Sequence, residues 1–274
     1  MSTPAPTAAW ISLVLTGATL ACTREPATPP PAYAAPLHDG DAVYFVGNSF
    51  FAWEDRVLPR WVAALGEVSS PPVHLQVDGD IVPGDLPLAA FLEHDAVVAA
   101  LASRRHAVFV LQGHELEAVD DRAGFHDAVR RFDAKVRAAG ARTVLFQTWD
   151  LRWREFLPAL VEAYDSIGRE LAIPVIPCGQ VFDDLGATPP AGGNRWWLTA
   201  SAEHPEGDLH PNAAGMAASA DVTFAILTGR DPRGLRFDAI GNDIDAATHD
   251  RIAAAAWRRA SERLISNPVP EPAP

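Results

Sequence analysis

A chain of 274 residues, 48% hydrophobic and 21% charged, is large enough for one substantial core and too small for two large ones, which points to one globular α/β domain with appendages. Acidic side chains outnumber basic ones 35 to 22, giving a net charge of −13 at pH 7 with no Lys/Arg-rich run to reverse it locally. Nucleic acid and anionic membrane surfaces are therefore disfavoured as partners, and two cysteines, Cys22 and Cys178, are too few for a disulfide framework.

Residues 10–21 form an apolar run too short to span a bilayer and of the right length for a signal-peptide core. The run ends in Thr19-Leu20-Ala21-Cys22, which is similar to the lipobox of bacterial lipoproteins, where Cys22 is the acylated first residue of the mature chain. Two features depart from that pattern: Thr19 stands where a larger aliphatic residue is usual, and residues 2–9 carry no Lys or Arg. The expected organisation is a signal peptide of lipoprotein type over 1–22, a Pro/Ala-rich tether over 23–36, a folded domain over 37–266 and a Pro-rich tail over 267–274. The expected location is exported, periplasmic or cell-surface, with membrane contact only through a lipid on Cys22.

Within the domain, Ala42-Val43-Tyr44-Phe45-Val46-Gly47 reads as a buried strand that hands over at Asn48-Ser49 directly to a helix reaching about Leu65. Residues 73–77 alternate like a second strand, with Asp78-Gly79-Asp80 and Pro83-Gly84-Asp85 punctuating a loop. A helix over about 86–103 precedes a third strand over 107–111 that ends in Gln112-Gly113-His114-Glu115. Phe125, Val129, Phe132 and Val136 make the apolar stripe of a helix over 121–138. Residues 143–149 form strand four, 156–171 a helix, and 174–178 a short strand five that includes Cys178. Residues 183–207 read as a long loop, followed by helices over about 211–227 and, behind an Asp245 cap, 246–265. Strands alternating with helices imply a five-stranded parallel sheet covered on both faces.

Ser49, at the carboxyl end of a buried strand, is either a nucleophile near free backbone N–H groups or an ordinary helix cap. Asp208-Leu209-His210-Pro211-Asn212 supplies a histidine with an acidic neighbour far downstream, and the order Ser, Asp, His is one of several that build a nucleophile, base and orienter. These blocks, with Leu111-Gln112 and Thr228-Gly229-Arg230-Asp231-Pro232, resemble the SGNH (GDSL-type) hydrolase superfamily over roughly residues 40–230, in particular a poorly characterised branch. Gln112-Gly113 is also similar to carbohydrate acetylesterases that carry Gln-Gly-Glu there. The resemblance implies a three-layer flavodoxin-like fold and ester hydrolysis, with Ser49 as nucleophile, His210 as general base, and an oxyanion hole from the N–H groups of Ser49 and Gly84 and a side-chain donor among 112–114.

Three departures from the family pattern matter. Asn48 replaces an aspartate outside the proton relay. The third block lacks its asparagine, so Gln112 or His114 completes the oxyanion hole; Gln112 is preferred because a carboxamide donates without needing to be protonated. The residue three before His210 is Gly207 rather than Asp, which leaves Asp208 or Glu206 to orient the imidazole, or a Ser49–His210 dyad alone. Trp149, Trp196 and Trp197 are candidates for a sugar-stacking cleft or for the core. His74, His94, His106, His126 and His249 have no convergent partners in the sequence, and Cys178 reads as an inert buried thiol. No cofactor or metal is expected, and the expected partner is a small-molecule or carbohydrate ester substrate. The competing expectation is a membrane-tethered binding protein that kept this fold while its catalytic blocks drifted.

Overall fold

The computed structural model describes residues 36–238 and 243–266, together with Met1. The expected signal peptide, Cys22, most of the tether and the Pro-rich tail lie outside the described residues.

β1 (Ala42–Gly47) is the centre of the molecule, and every one of its residues is buried. Two other strands flank it in parallel: β4 (Gln76–Ile81), with Val46 opposite Asp80, and β5 (Val108–Leu111), with Val46 opposite Leu111. β6 (Arg142–Phe146) and the two-residue β7 (Val175–Ile176) complete the order β4-β1-β5-β6-β7, all parallel. A purely parallel sheet needs both faces covered, which accounts for the continuous apolarity of β1 and β5.

One face carries α1 (Leu58–Val68), α6 (Cys178–Gly186), α7 (Ala213–Thr228) and α8 (Ala246–Ser266), which pack on one another. The other carries α2 (Asp95–Ser103), α4 (Arg122–Ala138), α5 (Leu157–Leu171) and the short α3 (Glu117–Asp120). The expected stripe Phe125, Val129, Phe132 and Val136 is buried. α7 is buried on all sides from Gly215 to Thr228, because the sheet, α1 and α8 enclose it; its Asn212 cap accepts from the Gly215 N–H at 3.1 Å. The Arg230 that follows its C-terminus donates to Ser69 Oγ and the Pro71 carbonyl, tying the α1–β4 connection to α7.

Several expectations need correction. The chain does not pass from Ser49 into a helix: a two-stranded hairpin, β2 (Ala52–Trp53) against β3 (Arg56–Val57), intervenes, and α1 starts at Leu58 with Pro59 in its first turn. β4 runs through Asp78-Gly79-Asp80, expected as loop. It is an edge strand, so its polar side chains reach solvent or partners, Asp78 to Arg105 and Asp80 Oδ2 to His94 Nδ1 at 2.8 Å. The expected 86–103 helix is a 3-10 segment (Leu88–Glu93) and α2, separated at His94. Cys178 opens α6 rather than lying in a strand, and α6 takes the first residues of the expected 183–207 loop.

Candidate active site

Ser49 sits at the carboxyl edge of the sheet in a tight turn, where Phe51 N–H donates to the Asn48 carbonyl at 3.0 Å and Ala52 N–H to the Ser49 carbonyl at 3.2 Å. The flanking Phe50 and Phe51 are completely buried, so the turn is anchored in the core while Ser49 faces the edge. Asn48 organises the turn from within. Its Oδ1 accepts from the Phe50 N–H at 3.1 Å and from Gln112 Nε2 at 2.7 Å, and Gln112 Oε1 accepts in return from the Asn48 N–H at 3.3 Å. This carboxamide pair locks the end of β1 to the end of β5.

The lock uses the residue expected in the oxyanion hole. Gln112 Nε2 donates to Asn48 Oδ1 and to the Gly113 carbonyl at 3.0 Å, so both of its amide hydrogens are engaged, and Gln112 is 1% exposed. That expectation is corrected: Gln112 is a clamp, set behind the site. His114 does not take its place, because its backbone N–H is held by Glu117 at 3.2 Å and it is not among the residues that line the cavity at Ser49. Asn48 does line that cavity, and its Nδ2 makes only long contacts, 3.4 Å to the Gly84 carbonyl and 3.5 Å to Glu115. Gly84 lies on the same cavity wall with φ +103°, a backbone conformation that favours glycine. Neither the Ser49 N–H nor the Gly84 N–H has an acceptor among the described residues.

His210 arrives from the loop before α7. Asp208 N–H donates to the Thr199 carbonyl and Asn212 N–H to the Leu198 carbonyl, each at 3.0 Å, while the Asn212 side chain donates to the Trp197 and Ala200 carbonyls at 2.7 Å each. Trp149 holds the loop from below: its Nε1 donates to the Leu209 carbonyl at 3.1 Å. The indole is 1% exposed, stacked between Phe50 at 4.5 Å and Phe182 at 4.1 Å, so Trp149 is a core residue and not a sugar platform. Each such aromatic pair contributes about 1 kcal/mol beyond its burial, on a residue that touches both the Ser49 turn and the His210 loop.

These two loops bring Ser49 Oγ to 2.9 Å from His210 Nε2. The acidic partner is less closely engaged. Asp208 Oδ2 is 3.7 Å from His210 Nδ1, beyond hydrogen-bonding distance, and Nδ1 is buried with no hydrogen-bond partner among the described residues. Asp208 instead accepts from the N–H of Leu209 at 2.7 Å. Glu206 turns away to Arg152, 3.5 Å distant. Burial pulls the His210 imidazole below its ordinary value, and the Asp208 charge pulls the other way, acting across 3.7 Å as a coulombic partner.

The displaced aspartate has a steric cause. Gly207 has φ +104°, and a Cβ there would fall 2.5 Å from Trp196 Cβ, so no side chain fits at the position three before the histidine. Trp196 thereby shapes the loop, and Trp197 is 8% exposed with its Nε1 on the Leu185 carbonyl. The residue that sequence reasoning missed is Trp53. From the tip of β2 its indole lies on the His210 ring, with centroids 3.4 Å apart and planes within 2°.

Two cavities meet at Trp53 and His210. The smaller, about 230 Å³, is lined by Asn48, Ser49, Gly84, Asp85 and Glu115 among others. The larger, about 740 Å³, extends past Trp197, Glu203, His204 and Asp245. Cys178 lies apart from both, completely buried, and burial pushes its thiol up to about 12.

No protein-family model and no curated protein sequence matches this chain. Solved structures do. A Slackia heliotrinireducens protein assigned as an SGNH hydrolase superposes with a TM-score of 0.55 over 68% of this chain and 98% of its own, at 18% identity. The chain has the three-layer fold of the SGNH hydrolases. A DUF4886 family protein of Bacteroides uniformis (TM-score 0.54, 16% identity, 80% of this chain and 93% of its own) shares this fold. So does a variant of the acetyl-xylooligosaccharide esterase Axe2 of Geobacillus stearothermophilus, with a TM-score of 0.54 at 13% identity over 74% of this chain and 100% of its own.

Proposed function

We propose that the chain is a serine ester hydrolase that removes a small acyl group through a Ser49 acyl-enzyme. The observation that carries this reading is the 2.9 Å contact of Ser49 Oγ with His210 Nε2, on the wall of a cavity that two backbone N–H groups without acceptors among the described residues also border. His210 Nε2 takes the Ser49 proton as Oγ attacks the ester carbonyl, and the oxyanion is received by the N–H groups of Ser49 and Gly84 and by Asn48 Nδ2. His210 then returns the proton to the leaving alcohol. Water, activated by the same imidazole, hydrolyses the acyl-enzyme.

The two cavities divide the substrate. About 230 Å³ suits a short acyl chain, and its Asp85 and Glu115 walls disfavour an acyl group that bears its own negative charge. About 740 Å³ is ample for a sugar-sized leaving group, with Trp53 and Trp197 as apolar surfaces among polar ones. An O-acetyl carbohydrate fits both, and an acetyl-xylooligosaccharide esterase is among the proteins of this fold. The Thr19-to-Cys22 segment favours action outside the cytoplasm, on a chain tethered by a lipid on Cys22. Turnover of a chromogenic acetyl ester, lost in Ser49→Ala, is the expected result; turnover that survives Ser49→Ala assigns the activity elsewhere.

A further inference from the structure

Nothing hydrogen-bonds His210 Nδ1 among the described residues, yet the ring must be held in one plane for Nε2 to meet Ser49. Aromatic rings hold it instead. Trp53 covers one face in parallel stacking at 3.4 Å, and Phe50 meets the imidazole edge-on at 6.2 Å and 87°. The element that delivers Trp53 is built for placement. Trp53 pairs with Arg56 across the hairpin, Leu58 N–H donates to the Phe51 carbonyl at 2.8 Å to close it onto α1, and Arg56 ion-pairs with Glu54 and approaches Asp243 at 3.6 Å. Trp53 is nevertheless 37% exposed, so its position is not explained by core packing.

Resting on the ester-hydrolase reading, we propose that Trp53 is a positioning residue that does for His210 what a hydrogen-bonded aspartate would do: it fixes the ring plane and stabilises the imidazolium through the indole face. When Nε2 takes the Ser49 proton, the positive charge develops against the electron-rich face of the indole, an attraction that strengthens where water is excluded. Asp208 adds charge from the α7 side at 3.7 Å. The other titratable and charged groups on the walls of the two cavities are Glu54 and Arg56, mutually paired, with Glu203, His204, Asp243 and Asp245 in the larger one, and Asp85 and Glu115 in the smaller.

The test compares the full chain with Trp53→Leu and Trp53→Phe by NMR titration of the His210 ring and by hydrolysis of para-nitrophenyl acetate. Leu keeps apolar cover and removes the π face, so His210 is expected to titrate at lower pH than in the parent, with kcat/KM down about tenfold, mostly in kcat. Phe retains a face and is expected to stay within about threefold. Should Trp53→Leu lose the fold, Trp53→Met, also without a π face, is read in the same way. A His210 titration that is unchanged or moves up in the Leu variant overturns the proposal, because removing a π face that stabilises the imidazolium must move it down. If the parent hydrolyses no ester, the function fails while the titration still decides the role of Trp53.

Discussion

Gly207, Asp208 and Trp53 account for what is unusual about this site. The sequence shows that the aspartate is one residue late, but the reason lies in Gly207: its positive φ and the 2.5 Å approach to Trp196 come from two segments meeting. Placing an aspartate three residues before His210 with Gly207→Asp is therefore expected to harm the protein. Strain of about 1–3 kcal/mol plus the clash should lower the thermal midpoint by at least about 4 °C, with no gain in turnover. A stable and more active Gly207→Asp would contradict this geometry. In the proposed mechanism Asp208 acts by charge across 3.7 Å, so Asp208→Asn should reduce kcat/KM about tenfold, well short of the ~10⁴ seen where an oriented, hydrogen-bonded aspartate is replaced. In the proposed mechanism the base works neutral, so kcat/KM is expected to rise with pH through an acid limb below the ordinary histidine value of 6.5, as burial dictates. Removing the Asp208 charge, which favours the protonated ring, shifts that limb to still lower pH, and a pH–rate profile reads the sign. That Ser49 and His210 would be candidates for one site was legible because each closes a recognisable block at an element boundary, and the structure brings the two side chains to 2.9 Å. The Gln112 donor was misread because residue type tells nothing of which way a carboxamide is already bonded.

At the scale of elements, the strongly periodic pieces were legible and the short ones were not. β1, β5, α4, α5, α7 and α8 announce themselves by apolar runs, stripes and caps. The β2–β3 hairpin leaves no such trace. Its strands have two residues each, and its turn places Glu54 at φ +56° without the glycine or asparagine that would signal it. That hairpin carries Trp53, which is why the ring on His210 was invisible beforehand. β4 was displaced towards its start because an edge strand can be polar, and Asp-Gly-Asp is ordinarily turn chemistry. Asn212 shows how one residue joins an element to the site: it caps α7 and holds two carbonyls of the loop that leads to His210. Asn212→Ala is expected to lower unfolding free energy by about 3 kcal/mol, one cap and two hydrogen bonds, and to lower kcat more than it raises KM. Denaturant melts and steady-state kinetics check both; an effect on stability alone would mean the loop is held by Trp149 without help.

Across the whole molecule, the most enclosed helix, α7, carries a buried ionisable side chain that links stability to pH. Asp221, completely buried in α7, faces His249 of α8, with Oδ2 3.2 Å from Nε2, and burial pushes its carboxyl up from 3.8 to about 6. The folded chain thus holds this proton more tightly than the unfolded one, so stability declines as pH rises from the unfolded value to about 6 and the deficit persists above it. Two units correspond to about 3 kcal/mol at most. Asp221→Asn should therefore raise the thermal midpoint more at pH 8 than at pH 5, and an equal or opposite change would show that His249 fully compensates the buried charge. No such pair could be read beforehand, since His249 and Asp221 lie on separate helices that the fold alone brings together.

The central claim is that Ser49 is a nucleophile activated by His210, and it is tested most directly by intact-mass analysis of the full chain after exposure to a fluorophosphonate. One adduct on the parent, located at Ser49 and missing from both Ser49→Ala and His210→Ala, is the expected result. A folded parent that takes up no adduct, or one that keeps its adduct in Ser49→Ala, would contradict it.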